Sequence, residues 1–320
     1  MSGVDLVKSA VALCTYNGIS FIEEQLDSIR LQTVQPDFVY IRDDGSVDGT
    51  VQYVEDYVKN HGLSGRWSIR VNERNLGFAE NFHCAIAECQ DICDVVFFSD
   101  QDDAWEPSKI EKCLAVMRSH HEVDVLCHEY DIVDGGGNIS PVHGQASPAI
   151  TGDGSLERVA AHNGGVYIWL GWAMAVRSSF LKRIEGYRFD GWAHDEWVWK
   201  CGQVSGSLYL LHERLGSHRI HGGNATGHKV RNRARRIDEC RMKVFGDKEA
   251  LRFAKDTHAP DSVARVFERS GRCGELRLEL LEKRRLFNAA ILLGYLDAYQ
   301  VKRSWLTELM IALQPDSKMG

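Results

Sequence analysis

The chain has 320 residues, 44% of them hydrophobic and 26% charged, with a net charge of −7 at pH 7. That length suits one large α/β domain or a domain with an appendage, and the mild acidity argues against general nucleic-acid binding. The nine cysteines are odd in number and form no CxxC pair, which favours a reducing cytoplasm. No basic start leads into a long apolar core, so no signal peptide is expected. The longest uncharged apolar stretch, 286–296, is too short to span a bilayer.

Residues 9–14 (SAVALC) read as a first buried strand, ended by Thr15-Tyr16-Asn17-Gly18. Ser20 and Glu23 predict a capping box for a helix with Ile22, Leu26 and Ile29 inward. A short second strand, 38–41, runs into Asp43-Asp44-Gly45-Ser46, and Thr50 is placed to cap a helix facing inward with Val51, Val54 and Val58. A third strand, 67–71, precedes the turn-rich 72–77 and a helix over 78–89. The fourth, Val95-Val96-Phe97-Phe98, is a continuous apolar run of the kind a strand buried on both faces requires. It leads directly into Ser99-Asp100-Gln101-Asp102-Asp103, and Ser108 opens a helix with Ile110, Leu114 and Met117 inward. With a fifth strand at 123–127, strand and helix alternate over 130 residues, which predicts a parallel sheet covered by helices on both faces.

The alternation then breaks. Asp134-Gly135-Gly136-Gly137-Asn138 is a turn, and 139–170 is loop-rich with one short helix near 156–161. Residues 167–176 are apolar and strand-like, a helix follows near 178–184, and 209–211 forms one more strand before the loop 218–227. From about 229 the chain is rich in Arg, Lys, Glu and Leu and reads as helices. Leu276, Leu280, Arg284, Phe287 and Ile291 keep an amphipathic spacing. Trp305, Leu306, Leu309, Met310 and Leu313 lie near Lys302 and Arg303. Ordinary packing, a homodimer partner or an anionic membrane surface would each satisfy that face.

Three acids in four residues at a strand end repel one another unless a cation sits among them. Such oxygen sites suit Mg²⁺ or Mn²⁺ shared with phosphates; the bland alternative is a solvated acidic loop with Asp103 capping the next helix. Asp43 and Asp44 end a strand on the same rim, as do Thr15 and Asn17. Together these offer groups for a base and a ribose, although Asp-Gly pairs also simply mark turns. No GxxxxGK[ST] or GxGxxG loop is present, so phosphates would be held by metal and side chains. Asp195 stands between His194 and two tryptophans, a setting that tunes a general base. Trp192 or Trp197 would stack on a sugar face, or be core, with Asp195 capping its helix through Lys200. His218 and His221 are candidate metal ligands.

In this order the pieces LCTYNG (13–18), IRDDGSVDGT (41–50), NLGFAENF (75–82), FFSDQDDAW (97–105), GWAMAV (171–176), HDEW (194–197) and HRIHGGNATG (218–227) resemble the inverting glycosyltransferases of family 2. The likeness covers roughly 8–227, and SDQDD before Trp, with HDEW and an HGxN loop, is most similar to the bacterial rhamnosyltransferase-type branch. That branch builds O-antigen, capsule and other surface polysaccharides. The resemblance implies a GT-A fold with a mainly parallel, Rossmann-like sheet over 1–228 and a helical C-terminal region over 229–320. The nucleotide-sugar half would be about 1–133 and the acceptor half about 134–228.

It further implies that Thr15, Asn17, Asp43 and Asp44 hold the nucleoside, while Asn75, Gly77 and Asn81 line the nucleotide–sugar side. Asp100, Gln101 and Trp172 would contact the donor. Asp102 and His221 would bind Mn²⁺ or Mg²⁺, with Asp100 a further candidate for contact with the metal, and Asp195 would be the catalytic base. HRIHG replaces a typical YRQHG, which makes His218 a competing metal ligand; Trp172 stands where a small residue or Cys is common. The implied partners are a nucleotide-diphosphate sugar, with dTDP-rhamnose or a UDP-hexose as donor, and a glycan or lipid-linked glycan acceptor. The implied place is the cytoplasm or the inner face of the membrane. Lys229, Arg231 and Arg233 would close over the diphosphate or form a solvated helix face. A nucleotidyltransferase and a non-catalytic scaffold remain as alternatives, although CTYNGIS lacks the basic residue the former needs.

Overall fold

The computed structural model describes residues 7–140, 151–161, 170–222, 233–299 and 302–314. Two compact units divide the chain: residues 1–159, 169–198 and 207–227, and residues 160–168, 199–206 and 228–320. The second therefore takes in two segments that a linear boundary at 228 does not capture.

The first unit begins with β1 (Ser9–Thr15), α1 (Ile22–Arg30), β2 (Phe38–Asp43), α2 (Thr50–Asn60), β3 (Trp67–Val71), α3 (Phe78–Gln90) and β4 (Val95–Ser99). Every residue of β1 and β4 is buried, as their unbroken apolar sequences demand. There follow β5 (Ala104–Trp105), α4 (Lys109–Ser119), β6 (Val125–Asp134) and β7 (Leu156–Arg158). A 3₁₀ turn (Gly171–Ala173), β8 (Met174–Arg177), α5 (Ser178–Ile184), α6 (His194–Ser205) and β9 (Leu208–Ile220) complete the series. The division between the units falls inside α6.

The nine strands of the described residues form one sheet in the order β3-β2-β1-β4-β8-β6-β9-β5, with β7 paired to β9. β1 is parallel to both β2 and β4, and β6 is parallel to β9. β8 runs antiparallel between β4 and β6. Val11, Leu13 and Phe97 pack with Leu26, Ile29, Ile110 and Leu114 in the main core, each burial of that kind contributing about 1.5–3 kcal/mol. From β1 the chain winds outward through β2 and β3, then crosses back to β4 on the other side. This reversal opens a crevice at the carboxyl ends of β1 and β4, the place where open α/β sheets bind ligands.

Several local expectations change. The Ser20/Glu23 capping box does not form, because α1 starts at Ile22 with Phe21 in the cap position and no side-chain bond. Gly18 O instead accepts the Phe21 and Ile22 N–H groups, both at 3.0 Å. Thr50 is inside α2 rather than capping it. Asp48 Oδ1 takes the Thr50 N–H at 3.0 Å and its hydroxyl at 2.6 Å, with Gly49 turning the chain at φ +97°. The helix expected near 156–161 is strand β7, drawn into register with Leu211, Leu210 and Tyr209 of β9. Of the strand-like 167–176, residues 167–169 lie outside the described residues, 171–173 form the 3₁₀ turn and only Met174 onward is strand. The strand expected at 209–211 runs to Ile220, so His218 sits on it and not in a loop; residues 223–227 of that loop lie outside the described residues.

In the second unit α7 (Arg233–Asp256), α8 (Asp261–Lys283), α9 (Phe287–Leu292) and α10 (Ser304–Leu313) follow in order. Lys229 and Arg231 lie outside the described residues. Gly274 lets α7 and α8 close up, since a Cβ there would be 2.5 Å from Val244 Cγ2. Lys200 and Lys243 both bond the buried Asp247, at 2.7 and 2.8 Å. No described helix is long and apolar enough to cross a membrane.

Candidate active site

The first rim loops are organised by two buried acids. Asp43 Oδ2 accepts the Thr15 and Ser46 hydroxyls, both at 2.6 Å, and Oδ1 accepts the Gly45 and Ser46 N–H groups at 3.0 and 2.7 Å. Asp44 Oδ1 accepts Asn72 Nδ2 at 2.8 Å and Leu76 N–H at 2.7 Å, and Oδ2 accepts Gly77 N–H at 2.8 Å. Gly77, at φ +83°, supplies the backbone turn that opens α3. Asn75 donates to Asp44 O at 3.2 Å, while Asn81 accepts from Asn72 and donates to Arg42 O. Asn17, at φ +47°, receives the Val47 N–H at 2.9 Å. Thr15, Asn17, Asp43, Asp44, Asn75, Gly77 and Asn81 thus form one connected network joining the ends of β1 and β2 to the start of α3.

Gln101 locks the other side of the crevice. Its Oε1 accepts Tyr16 N–H at 2.8 Å and its Nε2 donates to Tyr16 O at 2.9 Å, splinting the end of β1 to the loop after β4. Gly18 makes room for this, because a Cβ there would fall 2.1 Å from Gln101 Oε1. The sequence shows the glycine but not the side chain that requires it.

The acids after β4 divide into two sorts. Asp103 is buried, with Oδ1 2.8 Å from His218 Nδ1 and accepting the Arg219 N–H at 3.1 Å; it caps no helix. Asp102 Oδ2 lies 2.7 Å from His221 Nε2, with both side chains partly exposed. The two histidines are thereby separated: His221 faces Asp102, while His218 faces Asp103. Phe21 supports the His221 ring at a centroid distance of 4.4 Å. Arg219, which sequence reasoning passed over, donates to Glu24 Oε2 at 2.6 Å and to Asp102 O at 3.2 Å. Burial, reinforced by Asp103, Asp102 and Asp195, pushes the Asp100 carboxyl well above the usual carboxylate range. Among the described residues no group of three or more His, Cys, Asp or Glu side chains is arranged to hold a metal.

Asp195 lies in the first turn of α6 and is close enough to Asp100 to act on its charge. Burial raises its pKa to about 6, against the opposing pull of Glu196 N–H, 2.7 Å from Oδ1, and of the Gly171 backbone. His194, buried and stacked 3.7 Å from Phe82, stays neutral because burial disfavours its charge.

The tryptophans proposed to meet the donor or acceptor, Trp172, Trp192 and Trp197, are interior. Trp192 is 0% and Trp197 2% exposed; Trp192 stacks on Phe189 at 4.8 Å, and Trp197 donates to Ile184 O at 3.2 Å. Neither presents an open ring face, in contrast to the stacking role expected from sequence. Trp172 is also fully buried, between His218, His128 and Tyr130, so its side chain does not line the crevice. Beneath the acids sits Lys109, also fully buried. Its Nζ donates to Trp172 O at 2.6 Å and lies 3.6 Å over the Trp105 ring.

Comparison with known proteins matches this arrangement to a family. The sequence pattern of glycosyl transferase family 2 fits residues 10–180. An uncharacterized glycosyltransferase of Nostoc sp. is 26% identical over 223 residues, 68% of this chain and 66% of that protein. The dTDP-rhamnosyl transferase RfbG of Shigella flexneri is 34% identical over 103 residues, 32% of this chain and 35% of that protein. This chain therefore spans just under two thirds of the first relative and about a third of the second. The crystal structure of S. aureus TarS 1-349 in complex with UDP-GlcNAc superposes with a TM-score of 0.62 at 17% identity, covering 95% of this chain and 89% of that one. That likeness speaks for the fold, a mixed α/β GT-A arrangement followed by helices. The family match extends over more than half of the chain, on the portion that carries the switch point and its acids, and the chain belongs to glycosyl transferase family 2.

Proposed function

We propose that this chain transfers a sugar, with inversion, from a nucleotide-diphosphate sugar to a hydroxyl of a glycan or lipid-linked glycan, in the cytoplasmic assembly of a bacterial surface polysaccharide. The observation that carries the reading is the convergence on one rim of the Asp102–His221 pair, Asp100 and the elevated carboxyl of Asp195. The nucleoside would seat on the clamped Thr15–Asn17 turn and the loops that Asp43 and Asp44 hold, beside the half-exposed Tyr16 ring.

Asp102 and His221 offer one carboxylate oxygen and one imidazole nitrogen on the open side of the rim, a donor set that fits Mn²⁺ or Mg²⁺ completed by diphosphate and water. Such an ion, when bound, supplies charge neutralisation to the departing diphosphate. Asp195, ionised at neutral pH, would take the proton of the acceptor hydroxyl as that oxygen attacks the face opposite the leaving group. One base and one displacement give inversion. The Shigella relative favours dTDP-rhamnose as donor; the TarS complex keeps a UDP-linked hexose in view. A nucleotidyltransferase is disfavoured because the 14–20 turn carries no basic residue.

Calorimetric titration with a panel of sugar nucleotides, with Mn²⁺ and then with chelator, tests the proposal. One donor should bind with metal and far more weakly in Asp102→Ala. If folded protein binds none of them, the transferase reading fails and a scaffold role replaces it.

A further inference from the structure

The second unit carries an apolar face that its own core does not use. Seven exposed large hydrophobic side chains of the described residues fall between 286 and 313. Two hydrogen bonds lay α9 and α10 side by side and antiparallel: Trp305 Nε1 to Ala289 O at 2.9 Å and Arg284 Nη2 to Gln314 O at 2.8 Å. On α10, Leu306, Met310 and Leu313 stand at i, i+4 and i+7, each more than half exposed. Beside them, along and just before α9, lie Leu286, Ile291 and Phe287, the last 77% exposed. The opposite face is already committed, with Leu276, Leu280, Ala289, Leu292 and Ala312 packed as the unit's core. The outward side chains are therefore a second apolar face, not spare core.

Charge decides what covers it. Lys283, Arg284, Lys302 and Arg303 flank the two helices, together with Arg285, which pairs with Glu279 at 3.0 Å, while the only acids between 283 and 314 are Asp297 and Glu308. Glu308 is fully buried against Arg277, and Asp297 pairs with Arg269. A basic rim around exposed leucines, on a chain of net charge −7, complements an anionic surface. A two-fold pairing of the face with a second copy would set that rim against its own image.

We propose that α9 and α10 seat on an anionic lipid surface. The helices lie in the headgroup plane, the apolar side chains enter the acyl boundary and the bases stay level with the phosphates. Neither helix crosses the bilayer.

Co-sedimentation of the full chain with vesicles tests this, using phosphatidylcholine alone and phosphatidylcholine with about 30% phosphatidylglycerol, since the electrostatic part scales with anionic lipid. Binding should be at least about tenfold stronger to the anionic vesicles and weaken severalfold between about 0.1 and 0.5 M NaCl, as screening requires. Leu306→Glu with Met310→Glu should abolish it. Lys302→Glu with Arg303→Glu should reduce it about tenfold with the apolar face intact. Because all four side chains are at least partly outward, circular dichroism and nucleotide binding should stay as in the parent and exclude unfolding. Equal binding to both vesicle types, binding unchanged in the variants, or no binding to either together with a dimer that Leu306→Glu dissolves would each overturn the proposal.

Discussion

The sharpest test of the site is Asp195→Asn, because one carboxyl makes two predictions of opposite sign. Burial holds its pKa at about 6, so the group is about nine-tenths ionised at pH 7 and about one-tenth at pH 5. If it is the base, kcat/KM falls about tenfold across that interval, with the midpoint of the acid limb near pH 6, and the Asn variant loses about 10²–10⁴-fold at pH 7. Stability should run the other way. A carboxyl raised from about 3.9 in the unfolded chain to about 6 in the fold stabilises nothing by ionising. Its penalty is absent below the unfolded value, grows as pH rises and is complete above pH 6. The cost is at most about 3 kcal/mol at pH 7 and about half that at pH 5. Asn keeps an acceptor for the Glu196 N–H and removes the charge, so the variant should melt no lower than the parent at pH 7, with its advantage shrinking toward pH 5. Initial rates across pH and parallel thermal melts measure both. An acid limb near pH 4, or an Asn variant within tenfold of the parent, refutes the assignment of Asp195 as base.

Four further outcomes follow from particular contacts. Asp102→Asn and His221→Ala should each weaken Mn²⁺ binding by about 10–100-fold or more in calorimetry. His218→Ala, which faces Asp103, should spare the metal and instead destabilise by about 1–3 kcal/mol through the buried carboxyl it abandons. Gly18→Ala should raise the donor KM more than it lowers kcat, since the new Cβ displaces Gln101. Adding Gln101→Ala should recover about 1 kcal/mol of the stability lost to the clash, a non-additivity that a double-mutant cycle in urea reads directly. Lys109 has its pKa lowered to about 7 by burial, so its charging penalty is full below pH 7 and fades as pH rises toward about 10.4. The parent should therefore gain on Lys109→Met by up to about 4 kcal/mol between pH 7 and 10, in urea midpoints taken across that range.

How far the chain could be read beforehand depended on where each signal was stored. β1, β4 and the helices between them are legible because their apolar periods are local and unbroken. β7 is not legible locally because Leu156-Glu157-Arg158 has no period of its own; its partner is Leu211-Leu210-Tyr209, some fifty residues on. The Gly-rich stretch after His218 reads as loop, yet pairing with β6 carries β9 through to Ile220. Aromatic platforms and aromatic core look alike in sequence. Phe189, Ile184 and Trp192 show which of the two this is only once folded.

The acids carry the deeper point. The sequence presents Asp43, Asp44, Asp100, Asp102, Asp103 and Asp195 as one class of strand-end or helix-start carboxylates. In the structure, Asp43, Asp44 and Asp103 are at most 2% exposed, and Asp43 and Asp44 have both carboxylate oxygens taken by hydroxyls, amides or backbone N–H groups. A carboxylate satisfied in that way gives shape, since any displacement would leave a buried charge without partners. Asp100, Asp102 and Asp195 are the partly exposed members, and two of them have carboxyls raised by burial and like charge. The rim is therefore built by one set of acids so that another can be held, poorly solvated and close together, where a cation and a proton are the natural means of relieving them. On the proposed function, charge repulsion that would make an isolated acidic loop unfavourable would become, in this crevice, the source of affinity for a nucleotide-bound cation and of basicity toward an acceptor hydroxyl.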